Sequence, residues 1–191
     1  MNLILASASP RRKELLGLFR IPFQIRVADI DETMDTAKAP FDEVARVSCL
    51  KAMATPREMD DVVVAADTIV VCEGRVLGKP RNEEDAVAML QLLSGRDHQV
   101  MTGVTVICGE NVQTFTEVTD IHFRDLSEKE IRAYVATGES MDKAGSYGIQ
   151  GGAALFCTHM VGDYYNVMGL PVCRLGQVLR EMAPDLMGDN L

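Results

Sequence analysis

The most restrictive feature of the sequence is a pair of apolar runs separated by two polar residues. Residues 62–66 read Val-Val-Val-Ala-Ala, Asp67 and Thr68 follow, and residues 69–72 are apolar again. Such continuous apolar runs are typical of strands buried on both faces, in sheets that helices cover. A carboxylate at the end of such a strand is costly unless it binds a metal, accepts a proton or caps a turn. The run therefore predicts a buried strand that ends at Asp67. The Asp67 carboxylate is then either a functional group or the cap of an Asp-Thr turn.

Helical and strand patterns alternate along the rest of the chain. Strands are predicted over residues 3–6, 23–27, 98–108 and 112–123, the last two as a long hairpin, with a final strand near Val167. Helices are predicted after Ser9-Pro10, over residues 41–54, after Asn82, after the capping box of Ser127 and Glu130, and over residues 172–182. This alternation favours the α/β class with a mixed sheet. A chain of 191 residues, 47% of them hydrophobic, is expected to form one domain over residues 1–191.

Charge and composition exclude several classes of function. The net charge of −9 argues against broad binding of nucleic acid. No apolar run approaches the roughly 18 residues of a membrane span, and five scattered cysteines favour reduced thiols, so we expect a cytoplasmic protein. Neither a P-loop nor a Rossmann glycine motif is present. Residues 1–80 carry a net charge of −1 and residues 81–191 a net charge of −8. The first part of the chain therefore has more cationic side chains, relative to acidic ones, for binding an anionic ligand. Ordinary variation in surface charge is the alternative explanation.

Cationic and hydroxyl side chains cluster where the first strand leads into the first helix. Ser7, Arg11 and Arg12 surround a predicted helix N-terminus, which is a good anion site because its backbone N–H groups and the guanidiniums face the same ligand. A helix cap with two solvated arginines is the alternative. Lys51 on a predicted helix and Lys79 in a Gly-Lys-Pro turn are either ordinary surface lysines or phosphate ligands.

Acidic residues offer a second type of site. Glu32 lies in the acidic stretch of residues 29–32, and together with Asp67 it could bind a divalent cation, because Mg²⁺ and Mn²⁺ prefer hard oxygen ligands. A solvated acidic loop is the alternative interpretation of Glu32.

Seven segments, read in order, show a resemblance that no single segment carries. They are Ala6-Ser-Ala-Ser-Pro-Arg-Arg12, Asp31-Glu-Thr33, Leu50-Lys-Ala52, Ala65-Ala-Asp-Thr-Ile-Val70, Gly78-Lys-Pro-Arg81, Leu93-Ser-Gly95 with His98-Gln-Val100, and Asp142-Lys-Ala-Gly-Ser-Tyr-Gly-Ile-Gln-Gly151. The series closely resembles the Maf family of nucleoside triphosphate pyrophosphatases over essentially the whole chain. The resemblance implies an elongated, two-lobed α/β domain with a mixed sheet, similar to inosine triphosphate pyrophosphatases, with the active cleft between the lobes.

The resemblance also implies roles for individual residues. Asp67 would be the proton acceptor and, with Glu32, would hold a divalent metal cation, Mg²⁺ or Mn²⁺. The triphosphate would be lined by Ser7, Arg11, Arg12, Lys51 and Lys79, and substrate choice is linked to Arg11, Thr68 and Gln150. The last of the seven segments resembles the dTTP/UTP subgroup, whose products are the monophosphate and pyrophosphate. The alternatives are a preference for another base, either 7-methyl-GTP or a modified pyrimidine nucleotide, and a nucleotide-binding regulator of cell division with little turnover. A homodimer is consistent with the family.

Overall fold

The computed structural model describes residues 1–188, and among them seven strands form one mixed sheet. The strands are β1 (Leu3–Leu5), β2 (Phe23–Ile25), β3 (Val62–Cys72), β4 (Arg75–Leu77), β5 (Asp97–Cys108), β6 (Asn111–Phe123) and β7 (Cys157–Val161). Their order is β2-β1-β3-β5-β6-β7, and β4 pairs with β3. β1 is parallel to β2 and β3, whereas the β3/β4 and β6/β7 pairs are antiparallel. The predicted mixed sheet and the neighbouring hairpin strands β5 and β6 are confirmed.

Helices alternate with these strands, so the α/β class is confirmed. They are α1 (Pro10–Gly17), α2 (Pro40–Ala54), α3 (Glu83–Leu93), α4 (Glu128–Val135), α5 (Tyr164–Met168), α6 (Val172–Met182) and α7 (Pro184–Met187), with short 3-10 turns at Ala144–Ser146 and Gly152–Leu155. The predicted caps form: the side chain of Asn82 accepts from the Asp85 backbone at 2.9 Å, and Ser127 and Glu130 complete a capping box. No helix within residues 1–188 is long and apolar enough to cross a membrane.

The chain is organised as two compact units. The first unit contains Met1–Asp67, Thr102–Glu117 and the chain from Gly169 onward, and the second contains Thr68–Met101 and Val118–Met168. Each unit has its own apolar cluster. In the first unit, the cluster brings together Ala6, which directly follows β1, with residues of β1, α2, β3 and β5, namely Ile4, Ala52, Val63, Ala65 and Ile107. In the second unit, α3 and α4 pack around the buried side chains of Leu90, Phe123, Ile131 and Tyr147, among others.

Two details of the predicted secondary structure are wrong. β3 does not end at Asp67: it continues without interruption through Asp67 and Thr68 to Cys72, because strand pairing outweighs the local break in the apolar pattern. The turn-cap interpretation of Asp67 is therefore wrong as well. The strand expected near Val167 is helix α5, whose first turn is closed by the Asp163 carboxylate, which accepts from the Tyr165 backbone at 2.7 Å.

Gly103, in the buried part of β5, lies directly against the backbone of α2. A Cβ at this position would overlap the Val44 carbonyl oxygen and lie 2.8 Å from the Ala45 nitrogen. Backbone atoms of a packed helix cannot rotate away, so we expect Gly103→Ala to lower the free energy of unfolding by about 1–3 kcal/mol. Gly17→Ala is the control, because a Cβ there meets nothing within 4 Å. Urea denaturation measures both variants, and equal unfolding free energies would contradict the close contact.

Candidate active site

The centre of the candidate site is an ammonium group held between two carboxylates. The Nζ atom of Lys51 donates to Asp67 Oδ1 at 2.7 Å and to Glu32 Oε2 at 2.8 Å. The Lys51 and Asp67 side chains are each 13% exposed, whereas that of Glu32 is 58% exposed. The structure thus brings together three residues that the sequence singles out in separate segments. Glu32 does lie on an exposed loop, as the alternative interpretation expects, but its carboxylate accepts a hydrogen bond from Lys51.

The position of Lys51 follows from how α2 packs on the sheet. Ala52, the next residue of the helix, is fully buried in one apolar cluster with Ile4 of β1 and Ala65 of β3. Since Ala65 and Asp67 are two residues apart in a strand, their side chains leave the sheet on the same face. The last turn of α2 therefore places the Lys51 ammonium beside the Asp67 carboxylate.

The loop that carries Glu32 is tied to the first half of α2 by an ion pair. The buried Glu43 carboxylate accepts from the Asp35 backbone at 2.7 Å and from Arg46 Nε at 2.9 Å. Arg46 also donates to the Thr33 carbonyl at 2.8 Å. The hydrogen bond from Arg46 is the main reason that the pKa of Glu43 falls to about 2. We did not predict this anchor from the sequence, although the i,i+3 spacing of Glu43 and Arg46 on a predicted helix is a signal for it.

The residues of the predicted anion site lie close together where β1 leads into α1. The buried Ser7 hydroxyl accepts from Arg12 Nη1 at 3.3 Å and from the Ser9 backbone at 3.2 Å. Arg12 Nε donates to the Gly169 carbonyl at 2.9 Å. Ser9 does cap α1, as the alternative interpretation required, but Arg12 is half-buried and fixed rather than solvated. Burial lowers the pKa of the Arg12 guanidinium, and the nearby Asp67 carboxylate opposes that shift. Arg11 is half-buried on the first turn of the same helix.

Three further candidate residues belong to the second unit. Thr68 follows Asp67 in β3 and is half-buried, whereas Lys79 is exposed in the turn between β4 and α3. Gln150 is exposed in a tight turn that the Gly151 backbone closes by donating to the Gly148 carbonyl at 3.0 Å.

The glycine-rich segment around Gln150 is joined to the Lys79 turn. The Gly145 backbone donates to the Gly78 carbonyl at 3.1 Å. Gly145 has a φ of +67°, and a Cβ there would lie 2.8 Å from Val70 Cγ2, so only glycine fits this approach to β3. This arrangement brings Lys79 and the segment that carries Gln150 to neighbouring parts of the second unit.

Comparison with known proteins identifies the family. A model described as Maf-like protein matches residues 2–182. The chain is 49% identical over 186 residues to the dTTP/UTP pyrophosphatase of Bacillus cereus (strain AH187) and 50% identical to that of Bacillus thuringiensis subsp. konkukian (strain 97-27), each match covering 97% of both chains.

A solved structure shares the fold at low sequence identity. The HAM1 protein from Coxiella burnetii aligns with a TM-score of 0.54 and 16% identity, covering 95% of this chain and 99% of that one. At this identity the likeness concerns the fold alone, and it agrees with the expected α/β architecture. Because the family match runs from before Ser7 to beyond Gln150 and so includes every candidate site residue, the chain belongs to the Maf-like protein family.

Proposed function

We propose that this chain is a nucleoside triphosphate pyrophosphatase that hydrolyses dTTP and UTP to the monophosphate and pyrophosphate. The observation that carries the proposal is the Lys51 ammonium held between the Asp67 and Glu32 carboxylates, both of which also act electrostatically on the fixed guanidinium of Arg12. Such a pairing of carboxylates with phosphate-binding cations suits hydrolysis of a phosphoanhydride. The two Bacillus relatives that bear the name dTTP/UTP pyrophosphatase support the same choice of substrate.

The cationic side chains bind the triphosphate in this proposal. Ser7, Arg11, Arg12, Lys51 and Lys79 neutralise its oxygens, which favours the departure of pyrophosphate from the α-phosphorus. Arg12 is prepared for this role because its bonds to the Gly169 carbonyl and the Ser7 hydroxyl already fix its guanidinium. A preorganised cation costs little reorganisation when charge develops on the phosphate oxygens.

Asp67 and Glu32 also fit a divalent cation. Their carboxylates already flank the charged Nζ atom of Lys51, so a position for positive charge exists between them. No cluster of three or more His, Cys, Asp and Glu side chains suited to a metal occurs within residues 1–188. Two carboxylates plus phosphate and water oxygens are the usual surroundings of Mg²⁺, and Mn²⁺ accepts similar ligands. When bound, the metal would supply charge neutralisation at the phosphate.

Asp67 accepts the proton of the attacking water in this proposal. The carboxylate is mostly buried, and its Oδ1 atom is oriented by Lys51, so the side chain has one defined direction. Base choice is assigned to Arg11, Thr68 and Gln150. The Gln150 amide offers one donor and one acceptor group, which suits the imide edge shared by uracil and thymine.

Identifying which phosphoanhydride bond of UTP is hydrolysed tests the proposal directly. With UTP and Mg²⁺ or Mn²⁺, we expect UMP and pyrophosphate as the first products, because the basic residues bind the β,γ portion as the leaving group. Phosphorus NMR of the early reaction mixture identifies the products. UDP and orthophosphate as first products would overturn the assignment. The same measurement on a panel of nucleotides distinguishes the proposed dTTP/UTP pyrophosphatase from an enzyme that prefers 7-methyl-GTP and from a protein that binds nucleotides without turnover.

A further inference from the structure

The turn that carries Gln150 is held on both sides by side chains from the last turn of α4 and from the loop that follows it. On one side, the Gly148 backbone donates to the Tyr134 hydroxyl at 3.1 Å. On the other side, the Gly152 backbone donates to the Glu139 carboxylate at 3.0 Å. Gln150 lies between these two anchored residues, so one backbone connection of the turn is fixed to the last turn of α4 and the other to the loop that follows α4.

The turn backbone lies in direct contact with its two anchors. A Cβ on Gly151 would overlap the carboxylate oxygens of Glu139, and a Cβ on Gly152 would lie 3.2 Å from the Tyr134 ring. A side chain at position 151 would therefore displace the Glu139 carboxylate, and one at position 152 would press on the Tyr134 ring. The two glycines that follow Gln150 therefore bring the backbone within reach of Tyr134 and Glu139.

The anchors are themselves fixed. The Thr137 hydroxyl donates to the Tyr134 carbonyl at 2.7 Å and accepts from the Glu139 backbone at 3.2 Å. The Tyr134 ring packs edge-on against Phe156, with the centroids 5.2 Å apart. Lys143 Nζ donates to the Glu139 carbonyl at 2.6 Å. Burial, with a smaller effect of Glu139, raises the pKa of Tyr134 to about 12, so the hydroxyl stays protonated at neutral pH.

We infer that Tyr134 and Glu139 are positioning residues for base selection, because they hold the Gln150 turn in one conformation. The inference rests on the proposed function, in which Gln150 binds the base. An exposed, glycine-rich turn can adopt many conformations. A side-chain amide that pairs with the edge of one base requires the turn to be held in a single conformation. Tyr134 and Glu139 touch the turn rather than the substrate, so their effect is on discrimination between bases and not on the phosphate chemistry.

The test compares full-length Tyr134→Phe and Glu139→Ala with the wild type, using UTP and CTP. We expect the ratio of kcat/KM for UTP over CTP to fall about tenfold, mainly through KM for UTP, while kcat changes little. Glu139→Gln should retain most of the ratio, because its amide oxygen can still accept from Gly152. Tyr165→Phe is the matched control, because it removes a hydroxyl from an exposed tyrosine of the same unit.

A second measurement separates positioning from loss of fold. Hydrogen exchange of the Gly148 amide should accelerate in Tyr134→Phe, and that of the Gly152 amide in Glu139→Ala, at unchanged melting temperature. An unchanged UTP/CTP ratio in a variant whose amide exchanges faster would overturn the inference, and so would unchanged exchange rates. If the wild type itself fails to cleave UTP to UMP and pyrophosphate, the proposed function fails instead. The two failures are therefore distinct.

Discussion

Replacement of Asp67 by Asn should lower kcat for UTP by at least about 10²-fold, the usual scale for the loss of an acid–base group. Asn has nearly the same shape as Asp but has neither its charge nor its basicity. It can neither take the proton of the attacking water nor contribute a charged oxygen to a divalent cation. The proposed metal role predicts a second effect, namely weaker binding of Mn²⁺ measured by titration calorimetry without substrate.

The fold should survive this replacement. The amide oxygen of the new side chain can still accept from Lys51, and the strand on both sides of position 67 is held by pairing with β1 and β4. Asp42→Asn is the matched control, since Asp42 is exposed in the first turn of α2 in the same unit. It should keep wild-type turnover and melting temperature. Near-normal turnover in well-folded Asp67→Asn would show that Asp67 is neither base nor essential metal ligand.

The parts of the site were predictable from the sequence, whereas their assembly was not. Periodicity indicated a helix for Lys51 and a buried strand for Asp67, and both elements are present. The contact between them depends on a non-local apolar cluster in which α2 packs on β1 and β3 through Ala52 and Ala65. No local pattern specifies that packing. When Lys51 and Asp67 are each considered within their own segment, an ordinary structural role explains either residue. Apart from the cation that Glu32 and Asp67 could share, only the ordered series of motifs indicated a common site.

The two errors in secondary structure have different physical causes. Asp67 and Thr68 interrupt the apolar pattern of β3, but the neighbouring strands continue to pair with it, so the tertiary context decides the conformation. At Val167 the opposite occurred: a β-branched residue after two tyrosines favours a strand, yet the Asp163 cap begins a short helix. An aspartate directly before a helical segment is a local capping signal, and Asp163 is such a residue.

The two anchors of the Gln150 turn were not predicted. Tyr134 lies in the last turn of a helix whose capping box is recognisable from the sequence, and Glu139 lies in the loop after it, but their bonds reach backbone groups 14 and 13 residues away. A glycine-rich segment indicates a turn without indicating what holds it. Only the folded chain identifies those partners.

Replacement of Gln150 by Glu should lower kcat/KM for UTP and dTTP by about 10²-fold, because the site loses a hydrogen-bond donor and gains a charge that repels the pyrimidine carbonyls. A hydrogen bond left unmade in a recognition site costs about 1–3 kcal/mol, and the repulsion adds to it. Position 150 is exposed in a tight turn, so the change should leave the melting temperature close to that of the wild type.

The quantity to measure is the ratio of kcat/KM for UTP over 7-methyl-GTP. A folding defect lowers both values together, whereas loss of base recognition lowers the ratio, because a guanine derivative presents donors that a carboxylate can accept. Gln177→Glu is the matched control, since it places the same charge on an exposed position of α6 and reports any general repulsion of the triphosphate. A fall in the ratio confined to the Gln150 variant would assign base recognition to this side chain. An unchanged ratio at native-like melting would show that Gln150 does not contact the base, and the choice of pyrimidines would then have to come from Arg11 and Thr68.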